Sequence, residues 1–208
     1  MKRRNLLALL PAALLPIQAQ AALTLTDRDR ADIARIEAYL TGLHTLKARF
    51  LQVAPNGNIS EGVVWLQRPG EMRFQYDPPS PFLLVANYGL VVFKDKKLQQ
   101  TSTIPLSQTP LGIILAEQVK LSGDVEILGL RRLPDEIALT LRRTASPSDG
   151  NITLFFSDQK LALQRWSVVD QQQQITGVKL FNVELGGKFD PALFKVTTPQ
   201  PLPSGGGG

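Results

Sequence analysis

Residues 61–76 read Glu61-Gly62-Val63-Val64-Trp65-Leu66-Gln67-Arg68-Pro69-Gly70-Glu71-Met72-Arg73-Phe74-Gln75-Tyr76. Two short apolar-rich runs flank an Arg-Pro-Gly turn signal. In the second run Met72, Phe74 and Tyr76 recur at the period of two that places them on one face of a strand. Proline and glycine between the runs mark a tight connection, so the stretch reads as consecutive strands.

Outward from it the same texture persists. ARFLQV from Ala48, FLLVANYG from Phe82, LVVFKD from Leu90 and VEILGL from Val125 are strand-like, as are EIALTLRR from Glu136, NITLFFS from Asn151, LALQRWSVVD from Leu161 and TGVKLFNVEL from Thr176. Turn signals separate them, among them Pro55-Asn56-Gly57, Asp77-Pro78-Pro79, Leu133-Pro134-Asp135 and Ser148-Asp149-Gly150. About ten strands with tight connections predict a largely antiparallel meander. Glu136 to Arg142 alternates cleanly, with Ile137, Leu139 and Leu141 on one face.

Two helical signals interrupt the sheet. Thr26 precedes an acidic first turn, and Ile33, Ile36, Leu40 and Leu43 recur at spacings of three and four, which predicts an amphipathic helix ending near Gly42. Thr109-Pro110-Leu111-Gly112-Ile113-Ile114-Leu115-Ala116-Glu117 predicts a short apolar helix, with Thr109 as cap and Pro110 at the first helical position. Gly112 and two isoleucines give it poor propensity, so packing must hold it. Asp190-Pro191-Ala192-Leu193-Phe194 reads as a capped turn before a last extended piece.

Two helices are too few to cover such a sheet. The expected fold is therefore mainly β with helices, a curved antiparallel sheet whose interior is lined by side chains and incompletely filled. Phe50, Trp65, Met72, Phe74, Leu84, Phe93 and Phe155 are the candidate lining, with Ile113 and Leu115 from the short helix. Such a hollow suits an apolar guest.

Composition narrows the chemistry. The 208 residues contain no Cys and one His, which removes disulfides, thiol nucleophiles and Cys-ligated metals and disfavours a His-based triad or a multi-His metal site. No nucleophile elbow, phosphate loop, dinucleotide fingerprint or zinc-protease motif occurs, so no catalytic residue, metal or cofactor is assigned. His44 reads as a surface residue on the connection after the first helix. Residues 1–21 combine Lys2-Arg3-Arg4, an apolar run and Ala19-Gln20-Ala21, the pattern of a cleaved secretory signal peptide. Its removal takes three of 23 basic side chains and none of 18 acidic ones, lowering the formal net charge from +5 to +2. The basicity is then largely that of the export signal, and nucleic acid is not expected as a partner. Residues 22–200 are expected to form one periplasmic domain, a monomer without a lipid anchor, and residues 201–208 a flexible tail.

Several runs together resemble the outer-membrane lipoprotein carrier (LolA) family: Arg49-Phe50-Leu51-Gln52, Gly62 with Trp65-Leu66-Gln67-Arg68-Pro69-Gly70 leading into Met72 to Tyr76, Thr109-Pro110-Leu111, and Phe194-Lys195-Val196-Thr197-Thr198-Pro199-Gln200. The resemblance implies an unclosed β-barrel with a helical lid over a hydrophobic cavity. It implies a carrier, not an enzyme, that takes lipoprotein acyl chains from an ABC-type transporter in the inner membrane to an outer-membrane acceptor. It also implies that Arg68, at the position of the family's Arg-Pro arginine, bonds to the lid and closes the empty form. Met72 stands where the family often has an aromatic residue. A lipid-sensing interaction domain of the same fold and a periplasmic hydrolase are the alternatives.

Overall fold

The computed structural model describes residues 24–196. The proposed signal peptide and tail, and the end of the last extended piece, lie outside them. Helix α1 (Asp27–Gly42) starts as its sequence predicts: the Thr26 side chain accepts from the Asp29 N–H, and the Asp29 carboxylate accepts in return from the Thr26 N–H at 2.8 Å. Ile36 and Leu40 are buried along its inner stripe.

Eleven strands follow in one antiparallel sheet: β1 (Thr45–Val53), β2 (Ile59–Gln67), β3 (Glu71–Tyr76), β4 (Phe82–Asn87), β5 (Leu90–Asp95), β6 (Gln100–Pro105), β7 (Val125–Leu133), β8 (Glu136–Arg143), β9 (Asn151–Ser157), β10 (Leu163–Val169) and β11 (Ile175–Leu185). Their spatial order is β6-β5-β4-β3-β2-β1-β11-β10-β9-β8-β7. The first six strands walk from the middle to one edge, the chain crosses to the other edge, and the last five walk back until β11 pairs with β1. Edges β6 and β7 do not pair among the described residues, so the curved sheet stays an unclosed barrel. The strand missing from the sequence reading is β6, whose six residues QTSTIP are all exposed. A strand with no buried face shows no alternation of polarity.

The crossing, residues 106–124, folds over the concave face. It holds a 3-10 turn at Leu106–Gln108 and helix α2 (Leu111–Ile114). This helix is four residues long, and its start differs from expectation: Pro110 occupies the cap position, and the Thr109 hydroxyl donates back to the Leu106 carbonyl at 3.0 Å instead of capping. Ile113, Ile114 and Leu115 are at most 3% exposed. Burial worth about 1.5–3 kcal/mol for each such side chain outweighs a glycine penalty of about 1 kcal/mol, which is why so poor a sequence is helical.

Pairing registers set the inner face. Ala48, Val64, Phe74, Leu84 and Phe93 form one row across β1 to β5, and Leu46, Leu66, Met72, Ala86 and Val91 form the next. Trp166, Leu154 and Leu139 form an inner row of their own on β10, β9 and β8, which reaches β1 at Gln52 through Val178 of β11. Ile36, Leu40, Ile113 and Leu115 belong to the same core, so the space expected to be hollow is occupied by the helices' own side chains. The Asp190 carboxylate caps the turn Pro191–Phe194, which packs on the convex side of β3 and β4.

Candidate functional site

Arg68 leaves the end of β2 and turns inward under both helices. Its Nε donates to the Leu43 carbonyl at 2.6 Å, Nη2 to the carbonyls of Thr41, at 2.9 Å, and Leu40, and Nη1 to that of Ala116 at 3.3 Å. The backbone repeats the link, since Arg68 N–H donates to the His44 carbonyl and Gly70 N–H to that of Leu115, both at 2.8 Å. The last turn of a helix exposes unpaired carbonyls and the negative end of the helix dipole, and α1 has no basic residue of its own there. A strand-borne guanidinium supplies the missing donors. Arg68 is buried at 8% exposure, and that burial lowers its pKa from the usual arginine value. Arginine still keeps its charge under these conditions.

The other end of α1 is tied to the sheet edge. Arg132 of β7 donates from Nη1 to Asp29 at 2.7 Å and from Nη2 and Nε to Asp32 at 2.5 and 3.1 Å. The Asp29 carboxyl is held down to about 2, first by the Thr26 hydroxyl and backbone hydrogen bonds and then by that to Arg132. Asp32 and Arg132 lie 100 residues apart, and only the fold joins them.

Beneath the lid an aromatic network spans both halves of the sheet. Phe50 meets Phe74 with centroids 4.8 Å apart and Tyr76 at 5.2 Å, Phe74 meets Trp166 edge-on at 6.2 Å, and Phe82 links Tyr76 to Phe93 at 5.9 and 5.3 Å. Gly62 makes room for the Phe50 ring: a Cβ there would lie 2.8 Å from Phe50 Cε1 and 2.1 Å from the Gln75 carbonyl oxygen. The Tyr76 hydroxyl donates to Gln52 Oε1 at 2.8 Å, and burial pushes its pKa up to about 12.

Of the residues expected to line the interior, Phe50, Met72, Phe74, Leu84, Phe93, Ile113 and Leu115 lie on the inner side of the sheet or in the lid, with Leu84 and Phe93 only half-buried near the open edge. Two are corrected. Trp65 pairs with Lys47 and Arg73 on the convex face, opposite to its neighbours Val64 and Leu66. Phe155 is also convex, with the Arg165 guanidinium 3.4 Å above its ring. In β2 both faces are apolar, so alternation could not decide which one turns inward. Trp166, Phe82 and Arg132 are further members the sequence reading did not single out. His44 is exposed on its connection, as expected.

Room remains at the open side. A cleft of about 390 Å³ is lined by Leu84, Val91, Ile104, Leu111 and Val168, with Gln171 and Gln172 at its rim. A larger opening of about 680 Å³, bordered by Asn56, Asn58, Glu61 and Asp77, lies at the strand ends away from the lid.

An unclosed antiparallel barrel, apolar within and covered by a helical lid to which one buried arginine hydrogen-bonds, defines the class. The chain belongs to the outer membrane lipoprotein carrier protein LolA family, whose model matches residues 41–197. The outer-membrane lipoprotein carrier protein of Azotobacter vinelandii is 27% identical over 189 residues, covering 86% of this chain and 90% of that one. That of Methylococcus capsulatus is 27% identical over 178 residues, covering 80% and 83%. A solved putative outer membrane lipoprotein-sorting protein domain from Vibrio parahaemolyticus superposes with a TM-score of 0.48 at 9% identity, over 78% of this chain and 94% of that one.

Proposed function

We propose that the protein is a periplasmic carrier that holds the acyl chains of a lipoprotein between the concave sheet and the lid. It receives them from an ABC-type transporter of the inner membrane and passes them to an acceptor at the outer membrane. The observation that supports this most directly is the Arg68 latch, because one side chain joins the ends of both covering segments to the sheet. With the lid's own side chains filling the interior, cargo enters only as the lid lifts, and the latch then opens.

Energetics favour this arrangement. At about 0.8 kcal/mol per buried CH₂, two or three long chains represent some tens of kcal/mol against water. That exceeds the ceiling of about 18–21 kcal/mol seen for non-covalent affinity, so lid opening and partial burial must offset much of it. The competitor is a bilayer, and handover requires a site only slightly poorer than the next. Loading then needs energy from upstream, and the chemistry needs no catalytic group.

A two-step transfer assay tests the reading. Inner-membrane vesicles bearing the transporter and a labelled lipoprotein should yield a soluble one-to-one complex, which outer-membrane acceptor then empties. Failure to form that complex, or hydrolysis of the acyl chains, would overturn it.

A further inference from the structure

Glu37 and Thr41 are four residues apart and so share one flank of α1, while Tyr39 lies on the opposite flank. The two flanks hold different things. The Tyr39 hydroxyl accepts from the Leu163 N–H of β10 at 3.1 Å. Glu37 instead accepts through Oε2 from the Leu121 N–H at 2.7 Å, and the Thr41 hydroxyl donates to the Val119 carbonyl at 3.4 Å. Both of these bonds join α1 to the part of the crossing that follows α2.

Residues 117–121 have neither helix nor strand, and among the described residues the hydrogen bonds that tie them to another element come from those two side chains alone. Their own side chains alternate. Val119 and Leu121 are 2 and 4% exposed and belong to the core with Ile36 and Leu40, whereas Lys120 between them faces solvent. A strap of this kind must find partners for its N–H and carbonyl groups, and a carboxylate accepting from a backbone N–H makes one of the stronger, charge-assisted bonds. The sheet takes hold of the crossing on either side of the strap. Gly70 N–H and Arg68 Nη1 donate to the Leu115 and Ala116 carbonyls, and Thr144 donates to those of Gly123 and Asp124.

We propose that Glu37 couples the two covering segments, so that α1 and residues 111–121 lift from the sheet as one body. Lifting either alone breaks the bonds to Leu121 and Val119, while lifting both together keeps them. Glu37 is a positioning residue, which acts through the strap rather than on the cargo. Its role rests on the carrier reading above, and there the consequence is that one event clears the interior. With α1 raised by itself, Val119 and Leu121 would stay in the place of the acyl chains. Arg68 also spans both segments, but its bonds fix them to the sheet and are lost on opening, whereas the Glu37 bond survives it.

Native-state amide hydrogen exchange of the exported protein, followed by NMR without cargo, tests this in the Arg68→Leu background, where the shared link through Arg68 is gone. Leu43 reports on α1 and Leu115 on the crossing, since their N–H groups donate to the Tyr39 and Leu111 carbonyls and not to Glu37. The two amides should show matching opening constants. Adding Glu37→Ala should separate them by about tenfold or more, the range a charge-assisted bond covers. Glu37→Gln, whose amide oxygen still accepts, should keep them together. A bond that served only helix stability would instead change both constants in parallel, which counts against the proposal. Arg68→Lys is the background if Arg68→Leu does not fold. Unrelated constants before Glu37 is changed, or matching ones after Glu37→Ala, would overturn the coupling. Failure of the wild-type protein to take up lipoprotein would overturn the carrier reading instead, and the exchange result decides the coupling independently of it.

Discussion

Arg132 and Asp32, 100 residues apart in the chain, meet at 2.5 Å and fasten the start of α1 to the edge strand β7. Arg68 holds the end of the same helix through carbonyls alone. The two attachments differ in kind: the first is an ion pair with a two-pronged fork, the second a charge facing neutral acceptors that water can replace. Opening should therefore begin at the Arg68 end. Asp32→Ala is expected to lower stability by about 1–3 kcal/mol, the scale of lost charged hydrogen bonds, and to raise exchange of the first-turn amides more than that of Leu40 to Leu43. Denaturant unfolding with residue-resolved exchange measures both.

The Asp29 carboxyl lies at about 2 in the fold against the ordinary 3.8. A depressed carboxyl contributes stability that is fully present above its unfolded value and is lost as pH falls through its folded one. Melting temperature should therefore drop between about pH 4 and pH 2, and Asp29→Asn should flatten that part of the profile. A profile unchanged by the substitution would show that the Thr26 cap, not the charge, carries the helix start.

Arg68→Leu removes the four side-chain hydrogen bonds that Arg68 gives the lid and leaves the carbonyls at the end of α1 to water. Loading of lipoprotein should survive, while release to the acceptor should slow at least tenfold, since closure no longer drives cargo out. Lysine keeps the charge but not the planar fork, so Arg68→Lys should fall between. Wild-type release by Arg68→Leu would make the arginine a turn residue only.

Phe74 and Trp65 lie on opposite faces of adjacent strands, which separates cargo contact from general damage. Phe74→Glu places an unpaired carboxylate among Phe50, Tyr76 and Trp166 and should abolish acyl loading. Trp65→Gln alters the convex face and should leave loading unchanged. Circular dichroism on both variants distinguishes lost binding from lost folding, and a milder Phe74→Leu change should reduce loading with the fold intact.

Much of this architecture was readable locally. The Thr26 cap, the three-and-four spacing of Ile36 and Leu40, the Arg-Pro-Gly turn and the shared face of Met72, Phe74 and Tyr76 are short-range periodicities, which depend only on how a helix or strand repeats. The runs around Arg68 also pointed to the family. What local pattern could not decide was set by partners far along the chain. Trp65 faces outward because β2 registers with β1 and β3 so that Val64 and Leu66 turn inward, although both faces of β2 are apolar. Strand β6 exists because β5 offers it a ladder, not because its own residues alternate. The interior is filled because residues 106–124 return over the sheet, and Arg132 meets Asp32 only because α1 lies across to the edge strand β7. Periodicity fixes which side chains travel together; which way they face, and what they meet, waits on register and on long-range contact.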